Sequence, residues 1–154
     1  MVHLSRATIL RSLQAAALLT MTTGLIASLG AHSATDFVWL WLFDLLRWPL
    51  DGHPAVFSND TQAVNAVLGG VMIGWGALML TLAREDVFDE RIRVGMQASL
   101  LLWFSTDSAG SLAAGLHGNV VLNILFLLVF LIPLQLLKRA KASFASPHHE
   151  KAKK

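Results

Sequence analysis

Four runs of apolar residues, at about 8–30, 62–83, 94–114 and 119–137, dominate the sequence. Each is close to the roughly 20 residues that a helix needs to cross about 30 Å of hydrocarbon at 1.5 Å per residue. In lipid every backbone N–H and C=O must find its partner within the protein, and a helix supplies those partners from its own backbone. The spacing therefore predicts an all-α fold, a four-transmembrane-helix bundle forming a single integral membrane domain over residues 1–137. Composition agrees: 55% of residues are hydrophobic and 14% charged, too apolar a balance for a domain with a water-facing surface. Four spans and one substantial loop fill these 154 residues and leave no room among them for a separate soluble catalytic domain.

The absence of cysteine removes disulfides, thiolate metal ligation and thiol catalysis. A basic pI near 9.4 could suggest nucleic acid. The positive charges, however, sit at helix ends and in the C-terminal tail, where topology accounts for them, so no nucleic-acid partner is expected. Eleven of the 12 basic residues fall on one side of the four runs: Arg6, Arg11, Arg84, Arg91, Arg93, Lys138, Arg139, Lys141, Lys151, Lys153 and Lys154. Arg47 alone falls on the other. By the positive-inside rule both termini are expected in the cytoplasm, with the chain in the lipid bilayer of the inner (plasma) membrane. A cleaved signal peptide is the rival reading of the first run, because Arg6 and Arg11 precede an apolar stretch ending in "GAHSA". That run exceeds the usual apolar core of about 7–15 residues, so a retained helix is expected; cleavage would leave three spans.

Between the first two runs, "DFVWLWLFDLLRWPLDG" is too short to span and is bounded by Pro49 and Asp51-Gly52. Helical spacing lines up Asp36, Leu40, Asp44 and Arg47 on one narrow face and leaves Phe37, Trp39, Trp41, Phe43 and Trp48 elsewhere. This predicts an amphipathic helix over about 36–48 in the outer interface, with Trp39, Trp41 and Trp48 as anchors at headgroup depth. A re-entrant segment lining a site is the alternative. In "SNDTQ", Asn59 or Asp60 can cap the second span, with Gln62 at capping-box spacing from Asn59. The tail, 138–154, reads as basic, solvated and disordered.

Within the third run, "WFSTDSAGS" places Asp107 inside hydrocarbon, about 10 Å below the outer boundary. An ionised carboxylate there costs at least about 2.5 kcal/mol, so it should face other helices, water or a partner, or carry a proton. Gly110, Ser111 and Ala114 share its face, with Trp103 and Phe104 one turn below. The expected neighbour is the small-residue stripe Ala66, Gly70, Gly74 and Ala77 of the second span, which contains the GxxxG match "GVMIG" and is widened by Gly69 and Gly76. It serves either a tight crossing within one subunit or a homodimer face. Asn65, Asn119 and Asn123 lie at matching depth, which predicts a hydrogen-bonded cluster of Asp107, Ser111, Asn65 and Asn123, with Asn119 on the face of Asn123. Such a cluster either locks helix register or handles a ligand or ion.

His32, His53 and His117 all fall on the outward side, but no pair has short metal-ligand spacing, and no metal is expected. No cofactor is expected either. The spans carry no histidine for haem, and the chain has no Gly-rich phosphate loop, HExxH or GxSxG. "WPLDG" and "WFSTDSAGS", with the four-span layout, resemble a group of small four-helix bacterial inner-membrane proteins; the resemblance implies a membrane location and brings no activity with it.

These readings favour a non-enzymatic accessory or assembly component, working with a membrane protein partner or as a homo-oligomer, with a polar pocket in the outer half of the bundle. A small-solute or proton-coupled transporter or channel is the first alternative, with Asp107 exchanging a proton and Pro133 permitting a bend. Lacking an inverted repeat and a basic partner for the acid, it would have to act as an oligomer. An outward-facing membrane enzyme pairing Asp107 with His53 or His117 is the second.

Overall fold

The computed structural model describes residues 4–47 and 56–144, and these form five helices with no strand among them. They are α1 (Arg6–Leu29), α2 (Phe37–Leu46), α3 (Asn59–Leu82), α4 (Glu90–Ala113) and α5 (His117–Phe144).

Local chemistry sets the helix ends. Ser5, Ser58 and Asp89 lie just before α1, α3 and α4, and each side-chain oxygen accepts the backbone N–H three residues on, at 3.1, 3.2 and 2.8 Å. The α3 cap is therefore Ser58, not Asn59 or Asp60; Asp60 instead sits in the first turn, where the helix dipole favours an acid. Capping by Asp89 starts α4 at Glu90, four residues before the apolar run. At its other end Gly115 adopts φ +74°, Leu116 N–H donates to Ser111 C=O at 2.8 Å and Gly115 N–H to Leu112 C=O at 3.1 Å. This Schellman turn reverses the chain directly into α5. The helix α5 continues through Pro133 and on to Phe144, so residues 138–144 of the expected disordered tail are helical. Lys, Arg and Ala are good helix formers, and cations suit a helix C-terminus.

The helices pack in the order α3, α1, α5, α4, with α2 lying across α1 and α5. Consecutive in sequence though they are, α3 and α4 are not packed along one another; they meet through Trp75 and Trp103, whose ring centroids are 5.8 Å apart. The main core fills the half of the bundle nearest the α3–α4 loop, where Leu13 and Ala17 of α1, Met79 of α3, Leu100 of α4 and Phe130 and Leu134 of α5 are buried. A smaller cluster of Ala27, Trp39 and Phe57 sits under α2 at the opposite end.

Close approach of α1 and α3 depends on glycine. A Cβ on Gly76 would lie 2.8 Å from Ala17 O, one on Gly24 would lie 2.9 Å from Gly69 O, and one on Gly69 would strike Ser28 Oγ and Gly24 O. The expected stripe does not make this crossing within the subunit. Gly70 and Gly74 face open space, as does Gly110 of α4, and Ala66 is exposed, with Ala77 half-buried. The face that packs is the one carrying Gly69 and Gly76, and its partner is α1, not α4.

Three helices, α1, α3 and α5 as far as Arg139, are long and apolar enough to cross a bilayer, the architecture of a membrane protein. Large apolar side chains cover their outer faces, including Leu18, Leu25, Val64, Val71, Leu125 and Ile132. The fourth expected span, α4, has the same 24 residues as α1 and α3 but carries Glu90, Arg91, Arg93 and Asp107. The shorter apolar helix α2 fits an interfacial role, with its acidic N-terminal residue and one expected anchor turned inward. Trp39 is 5% and Asp36 7% exposed, both turned into the protein, while Trp41 is 59% exposed. Trp41 is therefore open to the surroundings and Trp39 is not; Trp48 and His53 lie outside the described residues.

Candidate functional site

Asp107 and Ser111 are one turn apart on α4, and Asn119 and Asn123 are one turn apart on α5, so each pair shares a helix face. The turn at Gly115 folds these faces together. Asp107 Oδ1 accepts three hydrogen bonds, from Ser111 Oγ at 3.0 Å, Asn119 Nδ2 at 2.8 Å and Asn123 Nδ2 at 3.0 Å. Asn119 Nδ2 also donates to Ser111 Oγ at 2.7 Å and Asn123 Nδ2 to Ser108 Oγ at 3.3 Å. Ser108, Ser111 and Asn123 are buried, and no buried side-chain N or O among the described residues lacks a partner. The cluster clasps α4 to α5 while meeting the demand that lipid cannot.

Asp107 is only partly enclosed. Its Oδ2 has no hydrogen bond among the described residues, and the side chain lines a cleft of about 520 Å³ between Val71 and Trp75 of α3 and Ser99, Leu102, Trp103 and Thr106 of α4. The cleft exists because α3 and α4 are held to different neighbours, α1 and α5, and touch each other through two indoles. One carboxylate oxygen is thus saturated and positioned by three neutral donors, while the other is presented to a mostly apolar, aromatic-walled space. Such a group can accept a hydrogen bond or pair with a cation.

Asn65 is not part of this cluster. Its Oδ1 accepts the Trp39 indole N–H at 3.0 Å and its Nδ2 donates to Gly30 O at 3.2 Å, pinning α2 and the end of α1 to α3. Asn65→Leu leaves a buried indole N–H and a carbonyl unpaired. It is expected to lower stability by about 1–3 kcal/mol, read by thermal unfolding in detergent, with Trp39 becoming more accessible to a fluorescence quencher.

At the other end, sequence reasoning missed a second polar set. The Arg93 guanidinium bonds both carboxylate oxygens of Glu90, the shortest contact being 2.6 Å, and donates to Gln97 Oε1 at 3.0 Å, which also accepts from Gln135 of α5 at 3.2 Å. Spacings of three and four residues from Arg93 to Glu90 and Gln97 were the available signal. Nearby, Arg6 and Gln14 of α1 donate to Phe88 O at 2.6 Å and Ala83 O at 3.2 Å, tying α1 to the α3–α4 loop.

His32 and His117 are exposed, and the His32 ring accepts Ala34 N–H at 3.1 Å. Among the described residues no three His, Cys, Asp or Glu side chains are grouped to hold a metal ion. No protein-family model matches the chain, and neither the curated proteins nor the solved structures provide a match.

Proposed function

We propose that this is a four-span protein of the inner (plasma) membrane, with both termini in the cytoplasm, that acts without catalysis as an accessory or assembly component and holds its ligand or partner at the α3/α4 cleft. The observation that carries this reading is the divided use of Asp107, whose Oδ1 locks α4 to α5 while its side chain also lines the cleft and its Oδ2 has no hydrogen bond among the described residues. The same satisfaction of polar groups supports α4 as a span. At 24 residues it is about 36 Å long, and its two costliest side chains are met, Asp107 by α5 amides and Arg93 by Glu90 and Gln97.

Topology is testable cleanly because the chain has no native cysteine. In intact spheroplasts an impermeant maleimide is expected to label Ser33→Cys and Ala114→Cys, and to reach Glu85→Cys only after permeabilisation. Labelling of Ala114→Cys solely from the Glu85 side would remove α4 as a span. Occupancy is tested by native mass spectrometry from lipid nanodiscs, where an added mass is expected that disappears in Val71→Trp, a variant that fills the cleft. A bare chain in both would overturn the binding role.

A further inference from the structure

We infer that the α3/α4 cleft is a site for a lipophilic monocation, an organic ammonium or phosphonium centre shielded by apolar substituents. The inference rests on α4 spanning the bilayer and names the ligand class of the cleft proposed above. Three features converge on it. First, the Asp107 carboxylate has only neutral partners, Ser111, Asn119 and Asn123, and the ion pairs among the described residues, Arg84 with Asp86 and Arg93 with Glu90, lie elsewhere. Second, Trp103 is one turn before Asp107 on α4, and Trp75 faces it from α3 with ring centroids 5.8 Å apart and planes at 46°. Indole faces beside a carboxylate are the pairing that recognises quaternary and other soft cations. Third, the cleft is an open groove of about 520 Å³, room enough for a small molecule, and is otherwise lined by exposed apolar groups such as Val71 and Leu102.

Charge and size exclude the other ligand classes. An anion would meet the Asp107 carboxylate with no Lys, Arg or His among the lining residues to offset its charge. A hard divalent ion needs about six or more oxygen ligands, and the cleft offers one free carboxylate oxygen with the hydroxyls of Ser99 and Thr106. A neutral apolar molecule would fill the space and leave the carboxylate unpaired. A shielded cation enters from the lipid, gives up little hydration, and meets both the rings and the charge.

The test uses the full chain in nanodiscs and two ions of nearly identical shape, tetraphenylphosphonium and tetraphenylborate, measured by equilibrium dialysis against empty nanodiscs. Saturable binding of the phosphonium is expected, with no binding of the borate above the lipid background. Asp107→Asn, which keeps a hydrogen-bond acceptor toward α5, is expected to weaken phosphonium binding at least about tenfold while its thermal unfolding stays near wild type. Trp103→Leu, which removes a ring and no charge, is expected to weaken it as well. Equal binding of both ions, or undiminished binding in Asp107→Asn, would overturn the inference and reveal simple partition into an apolar groove. Phosphonium excluded by a co-purified chain that cross-links to Val71→Cys would overturn it in favour of a protein occupant. The maleimide pattern is read independently, so a chain with the expected topology that binds no cation loses this inference alone.

Discussion

Gly69→Leu is expected to separate α1 from α3 and lower stability by about 3 kcal/mol or more, whereas Gly70→Leu is expected to stay within about 0.5 kcal/mol of wild type. The two residues are adjacent and chemically identical. Their surroundings differ: a Cβ at Gly69 meets Gly24 O at 2.5 Å as well as the Ser28 side chain, while one at Gly70 meets nothing within 4 Å. The obstacle at Gly69 is largely helix backbone, which a rotamer change cannot move aside, so the cost belongs at the upper end for overpacking. Between membrane helices the hydrophobic effect contributes little, and close backbone approach supplies much of the attraction that the added side chain destroys. Thermal unfolding in detergent, followed by circular dichroism, measures both variants. A Gly70→Leu loss as large as that of Gly69→Leu would show that the exposed α3 face is covered in solution, as in a dimer built on the GxxxG pair.

The elements were legible because lipid imposes a length and a composition that a one-dimensional scan can read. The α4–α5 clasp was legible for a related reason. Asp107, Ser111, Asn119 and Asn123 belong to helices joined by a short turn, so depth and a four-residue spacing suffice to bring them together. Asn65 shows where that logic stops. It lies at similar depth to Asp107, but depth says nothing about which helix faces which, and α3 turns Asn65, Gly69 and Gly76 toward α1. The stripe of Ala66, Gly70, Gly74 and Ala77 does not make the crossing within the subunit, for the same reason. Small residues occur on two faces of α3, and the choice between them depends on the shape of α1, whose Ala17, Met21, Gly24 and Ser28 form the complementary surface. Trp39 was misplaced because an indole suits both a headgroup region and a buried hydrogen bond, and its acceptor, Asn65, is 26 residues away. The cleft follows from the packing order α3, α1, α5, α4, which periodicity does not encode.

Asp107→Leu is expected to destabilise the protein by about 2 kcal/mol, with Asp107→Asn costing less than about 1 kcal/mol. Three donors lose their acceptor in the leucine variant, and at about 1–3 kcal/mol for each unpaired group the upper bound is large. Two of the losses are partly recovered in place. Asn119 keeps Ser111 Oγ at 2.7 Å and Asn123 keeps Ser108 Oγ at 3.3 Å, and measured couplings between polar groups in membrane helices average only about 0.6 kcal/mol. The triple variant Asp107→Leu, Asn119→Leu, Asn123→Leu removes acceptor and amide donors together. It is expected to regain most of the stability lost by Asp107→Leu, because an apolar pair of similar size leaves few groups unpaired. Unfolding of the three variants in one detergent system decides the matter. Recovery in the triple variant means that leucine could have joined α4 to α5, so holding the helices together does not by itself account for a carboxylate there, and what leucine cannot supply is the open Oδ2 facing the cleft. A triple variant that fails to fold would instead give the acid and its amides an indispensable place in the bundle itself.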